Sequence, residues 1–168
     1  MKKISLLLIA LVSSMSAFSQ GKDVVDIAAG SADHTTLVAA VKAADLVETL
    51  KSAGPFTVFA PTNAAFDKLP EGTVENLLKP ENKAQLAKIL TYHVVSGKLD
   101  ATAVLDAIKK GDGKVVLTTV SGGKLTASLD MGKVKLTDEG GNSAYVTATD
   151  LKGTNGVIHV IDGVVLPR

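Results

Sequence analysis

The segment Gly54–Leu69 holds Phe56, Phe59 and Phe66, and the chain's fourth phenylalanine, Phe18, lies in an N-terminal leader. With no Trp and only two Tyr elsewhere, the bulkiest apolar groups are concentrated in one short stretch, and a core has to form around it. Phe56–Ala60 is a short apolar run, and Pro61 restricts Ala60 to extended geometry, so a strand is predicted there. Thr62 is placed to cap a following helix in which Ala65, Phe66 and Leu69 share one face, and Pro70 stops it. Phe56 and Phe59 point to opposite faces of the strand, which is therefore expected to be covered on both sides.

Ahead of this segment, Met1–Ser19 combines Lys2-Lys3, an apolar stretch Ile4–Val12 and a small-x-small site at Ala17-Phe18-Ser19. This is the pattern of a secretory signal peptide, cut after Ser19, and it leaves residues 20–168 as a single domain that is secreted, periplasmic or held at the cell surface. The apolar stretch is shorter than the roughly 20 residues that span a bilayer, and no second candidate span follows. Removing the leader takes away two of the 18 basic residues and none of the 17 acidic ones, leaving a net charge of −1. A near-neutral chain weighs against nucleic acid or an anionic membrane as the main partner, because either favours a basic face. With no Cys there are no disulfides, so stability rests on burial. A length of about 149 residues suits one domain burying roughly two thirds of its unfolded surface.

Before the organising strand, Asp33 is expected to cap a helix carrying Leu37, Val38 and Val41. Asp45 with Glu48 forms a capping-box-like pair ahead of Leu46, Val47 and Leu50. Beyond Pro70 come Val74, Leu77 and Leu78, then a helix opened by Pro80 with Leu86, Ile89 and Leu90 as its buried stripe. Thr91–Val95 reads as a strand ending at Ser96-Gly97. Asp100 caps a last helix with Ala103, Val104 and Ala107 inward and Lys109-Lys110-Gly111 at its close. From Lys114 onward the character changes. Runs at Lys114–Val120, Lys124–Leu129, Lys133–Thr137, Tyr145–Leu151 and Val157–Leu166 are rich in Val, Thr and Leu and separated by glycine-containing turns. Helices first and strands second make an α+β domain, with N-terminal helices packed on a mostly antiparallel sheet.

Three segments resemble the fasciclin domain family. Gly54–Phe66, with Thr57, Phe59, Pro61, Asn63 and Phe66, resembles its first motif block. Tyr92-His93-Val94-Val95-Ser96-Gly97 resembles its central Tyr-His block, and Asn155–Pro167, with Asn155, Gly156 and His159, resembles its second. The three occur in the family's order and the resemblance covers about Val24–Pro167. It implies a β-wedge or sandwich flanked by helices, found in extracellular adhesion proteins, with no enzymatic activity. In animal members the Tyr-His region is linked to integrin binding; here Tyr92 and His93 match, but there is no Arg-Gly-Asp.

His93 and His159 are the residues open to a chemical reading, as a metal pair or an acid–base pair. The competing reading, which the absence of His-x-x-x-His and of a carboxylate cluster favours, is that each satisfies a buried backbone group. Thr57 and Asn63 are expected to bond nearby backbone. Gly111-Asp112-Gly113-Lys114-Val115 lacks the first glycine and the final hydroxyl of a phosphate loop, and there is neither a Gly-x-Ser-x-Gly nor a thiol to act as nucleophile. Asp138–Asn142 reads as a hairpin turn rather than a calcium loop. The few aromatics argue against a stacking platform for sugars or single-stranded nucleic acid. The expectation is thus a binding domain with no catalytic, metal or cofactor-binding residues, mediating adhesion or matrix contact with a surface protein or polysaccharide, with self-association possible. The alternative is a carrier of an apolar small molecule in a groove between helices and wedge.

Overall fold

The computed structural model describes residues 21–168; the expected leader lies outside the described residues. In chain order the helices are α1 (Val24–Ala29), α2 (Thr35–Ala43), α3 (Val47–Lys51), α4 (Asn63–Asp67), α5 (Thr73–Leu77), α6 (Lys83–Tyr92) and α7 (Ala101–Lys110). The strands are β1 (Phe56–Pro61), β2 (Val94–Ser96), β3 (Lys114–Thr118), β4 (Lys124–Asp130), β5 (Lys133–Thr137), β6 (Ser143–Gly153) and β7 (Gly156–Ile161). The sheet runs β2-β1-β7-β6-β5-β4-β3. All its pairings are antiparallel except one, β1 with β7, which run parallel from Phe56↔Gly156 to Pro61↔Ile161. Its two edges meet: Val95 of β2 bridges Thr119 just past β3, and the Val120 N–H donates to the Val94 carbonyl at 2.8 Å. The result is a sheet curled nearly into a barrel.

Two cores follow from this curl. One lies between the helices and the outer face of β1 and β7 and holds Leu37, Val41, Val58, Ala60, Phe66 and Ile158. The other fills the curl beneath α7 and holds Phe59, Tyr92, Ile108, Leu125, Leu136 and Ile161. Strand β1 separates them, with Val58 and Ala60 facing one and Phe59 the other. Its burial on both faces is the one the Phe56/Phe59 spacing predicts, although Phe56 itself is only half-buried. Thr62 caps α4 by accepting the Ala65 N–H at 3.2 Å, and Asp100 caps α7 through Ala103 N–H at 2.9 Å.

Several expected boundaries are corrected. Asp33 lies within a 3₁₀ turn, Ala32–His34, and makes no cap bond; the α2 N-terminus is closed instead by Asn63, whose Oδ1 accepts from Thr36 N–H at 3.0 Å and Thr35 Oγ1 at 3.2 Å. Asp45 does not begin α3 but ends α2. It sits at φ 60°, with its N–H on Lys42 O and the Leu46 N–H on Val41 O, a left-handed stop that satisfies the last carbonyls of α2. Thr91 and Tyr92 belong to α6, not to a strand, and the Thr91 hydroxyl donates back to Ala87 O at 2.7 Å, the i−4 bond open to a helical threonine. Strand β7 stops at Ile161, where its partner β1 runs out, rather than reaching Leu166. Helix α1, with a reciprocal Asp23/Asp26 capping box, was not anticipated, although the Asp-x-x-Asp spacing marks it.

Gly156 opens β7 where the two central backbones come closest, since a Cβ there would collide with the Phe56 carbonyl oxygen. Phe66, packed against the helix-side core at 9% exposure, is expected to lose about 3–5 kcal/mol of stability on Phe66→Ala. Urea unfolding checks this; a loss below about 1 kcal/mol would place Phe66 outside the core.

Candidate functional site

The polar residues of the three motif segments turn inward onto the protein's own backbone. Thr57, fully buried in β1, donates its hydroxyl to Gly97 O at 2.7 Å and accepts the Leu99 N–H at 2.8 Å. On the neighbouring β7, in register with Phe59, His159 donates Nε2–H to Leu99 O at 2.6 Å and stacks on the Phe59 ring at 5.7 Å. These two side chains hold the loop that leads into α7. Asn155 accepts the Val24 N–H at 3.1 Å and donates to Leu50 O at 2.6 Å and Ser52 O at 3.0 Å, tying the start of α1 to the end of α3. Asn63 closes α2 as described and also donates to Ala32 O at 3.0 Å. Its partners, like those of Thr57, are distant in sequence, so the bonds of both are tertiary and not the local ones expected.

Tyr92 and His93 adjoin at the end of α6 but serve opposite cores. The Tyr92 hydroxyl donates to Lys124 O at 2.6 Å and accepts the Glu139 N–H at 3.3 Å, linking two hairpins; burial pushes its pKa up. His93 donates Nδ1–H to Ile89 O at 2.8 Å and accepts the Val165 N–H on Nε2 at 3.3 Å. Both ring nitrogens are engaged in the neutral form. Burial, opposed by the Ile89 carbonyl and the Asp138 charge, lowers its pKa from 6.5 to about 4. Among the described residues, the His159 Nδ1 and the His34 Nε2 are buried without a partner. Among the described residues no group of three or more His, Asp or Glu is arranged to hold a metal. Asp138, in the β5–β6 turn, accepts from the Gly140, Asn142 and Leu166 N–H groups at 2.8–2.9 Å and from the Asn142 side chain at 3.0 Å.

The structure also shows a feature the motifs did not: an apolar cavity of about 210 Å³ between α1, α2, α3 and the sheet. Val25, Ala28, Val38, Val41, Leu50 and Val58 are among its walls, with His93 alongside. Its charged lining residues are Asp26, Lys42 and Lys51. Lys51 bridges Asp26 at 2.7 Å and Asp23 at 3.0 Å, joining α3 to α1, and this pairing lowers the Asp26 pKa and raises that of Lys51. An apolar cavity of about 150 Å³ already admits a benzene ring. The space arises where short helices with small residues, Ala28 and Ala29, meet the sheet, and it lies between helices and wedge, where the carrier alternative puts its groove.

Comparison with known proteins places these features in a family. The fasciclin domain model matches residues 32–167. Protein sll1483 of Synechocystis is 52% identical over 156 residues, covering 93% of this chain and 79% of that protein. The transforming growth factor-beta-induced protein ig-h3 of Sus scrofa is 39% identical over 145 residues, 86% of this chain but 19% of that longer protein. A solved domain pair from the insect cell adhesion molecule fasciclin I shares the fold, with a TM-score of 0.76 at 18% identity over 86% of this chain and 51% of that one.

The His93 pKa has a consequence for stability. Its folded value of about 4 lies below the unfolded 6.5, so the unfolded chain binds the extra proton between them. The stabilisation is complete above pH 6.5 and is lost as pH falls through 4, amounting to about 3 kcal/mol. His34, whose pKa burial also lowers, acts in the same direction. Urea unfolding from pH 7 to 4 is expected to show a steeper decline in wild type than in His93→Gln. Equal slopes would show that His93 is not buried neutral.

Proposed function

The chain belongs to the fasciclin domain family, and from that membership we propose that it is an exported, non-enzymatic binding domain that mediates adhesion. In this reading the leader is removed after Ser19, and residues 20–168 act as one domain that contacts a surface protein or polysaccharide. The observation that carries the reading is the inward use of the motif groups. Thr57, Asn63, Tyr92, His93, Asn155 and His159 all direct hydrogen bonds to backbone within the fold. What remains for function is the exposed surface, which acts by contact. The solved domain pair comes from an insect cell adhesion molecule, fasciclin I, which supports the same reading. A lone domain gains strength at a surface when many copies act together, so display of several copies or self-association suits it.

Beads coated with residues 20–168 are expected to attach to the producing cells well above albumin-coated beads, and the recovered protein to begin at Gln20. Attachment no greater than the albumin control would overturn the adhesion reading.

The cavity favours a second reading, carriage of an apolar small molecule. The fluorophore 1-anilinonaphthalene-8-sulfonate suits it as a probe, being apolar with one negative charge for Lys42 or Lys51. Saturable one-to-one fluorescence enhancement at pH 7 is expected, abolished by the cavity-filling Val38→Phe with the fold retained by circular dichroism. No enhancement, or none lost in the variant, would remove this reading.

A further inference from the structure

The near-neutral total charge conceals a sharp segregation. Residues 109–137 carry Lys109, Lys110, Lys114, Lys124, Lys133 and Lys135 against Asp112 and Asp130, a net charge of +4, with Glu139 in the following turn accepting the Lys124 N–H at 3.0 Å. The rest of residues 21–168 carries ten basic and fifteen acidic residues, or −5. The near-neutral net charge, which weighs against nucleic acid or an anionic membrane as the main partner, does not show how the strands distribute these lysines.

The inner face of β3, β4 and β5 is fixed by Leu117, Leu125, Ala127 and Leu136, all buried in the second core. Their neighbours in sequence therefore face outward. Pairing aligns Lys114, Ser128, Lys135 and Tyr145 in one row across four strands, and Val116, Thr126, Thr137 and Ser143 in the next. Thr118 and Lys124 lie opposite each other on one flank, Asp130 and Lys133 on the other. This is an open sheet face of lysines set among hydroxyls, with Val116 at 54% exposure within it. Lys135 pairs with Asp130 at 3.7 Å, whereas Lys114, Lys124 and Lys133 make no ion pair among the described residues.

We propose that this outer face of β3–β6 is a docking surface for an acidic polysaccharide, a polymer of uronate-type sugars. The inference rests on the adhesion reading and names its site and partner. Charge complementarity selects a polyanion. The shape suits an extended polymer, because strands spaced about 4.8 Å apart place lysines and hydroxyls at intervals similar to a pyranose repeat. The hydroxyls of Thr126, Thr137 and Ser128 match the sugar's own hydrogen-bonding groups, and Tyr145 and Val116 offer apolar contact to ring C–H faces. Nucleic acid is a poorer fit, since arginine and stacked aromatics are missing from the face. A second copy is also a poorer fit, because the negative charge elsewhere is spread over many elements rather than gathered into one complementary patch.

The test measures binding of residues 20–168 to polygalacturonate, with dextran as neutral control and vesicles containing phosphatidylglycerol as the anionic-lipid control. Salt-sensitive binding to polygalacturonate and none to dextran is expected. Lys114→Gln/Lys124→Gln/Lys133→Gln should weaken it at least tenfold with an unchanged melting temperature, while Lys22→Gln/Lys79→Gln/Lys98→Gln should change it less than twofold. No binding to polygalacturonate, equal losses in the two triple variants, or equal affinity for the vesicles would overturn the proposal. The bead assay separates the two claims. If both wild-type and triple-variant beads attach to cells while polygalacturonate does not bind, the adhesion reading stands and this site does not. If polygalacturonate binds at this face but wild-type beads do not attach, the site stands and the adhesion reading does not.

Discussion

The parallel pairing of β1 with β7 is the constraint on which the rest depends. Parallel neighbours cannot be joined by a hairpin, so the chain that leaves β1 at Pro61 must build four helices, five strands and their turns before it returns at Gly156. Because both strands are covered on both faces, everything between them has to close over one side or the other. The helices α1–α6 cover one side, and the curled sheet with α7 covers the other. The pair is thus both the seam between two cores and the place where the two ends of the domain meet.

The polar motif residues follow from that arrangement. A buried seam with connections leaving in several directions exposes backbone groups to apolar surroundings, and each unpaired one is destabilising. Thr57 and His159 satisfy the loop before α7, Asn155 the junction of α1 and α3, Asn63 the start of α2, and His93 the returning C-terminal segment at Val165. These are the residues by which the family is recognised, yet their hydrogen bonds run within the fold. Of the features open to an outside partner, the lysine-bearing sheet face is built from residues of no motif block, while the helix-side cavity sets α1–α3 against Val58, His93 and Ile158 of the blocks.

This division explains what the sequence could and could not reveal. Phe56–Ala60 and Thr62 were legible because an apolar run, a proline and a cap act locally. Asp45 misled because aspartate serves equally as a helix start and as a left-handed stop, and only the Leu46 N–H to Val41 bond decides between them. Thr91 misled because its β-branch suggests a strand, whereas its hydroxyl found a helical carbonyl. The role of Asn63 depended on α2, 27 residues earlier. The basic face was invisible in the net charge, since it exists only once β3, β4 and β5 pair in register.

Native-state hydrogen exchange tests the central claim most directly. If the parallel pair is the seam of the domain, the amides of Val58–Ala60 and Val157–Ile161 exchange slowest of all, only through global unfolding, while those of β3–β5 open sooner. Protection that is greater in β3–β5 than in β1 and β7 would contradict the account and place the stable centre in the hairpins instead.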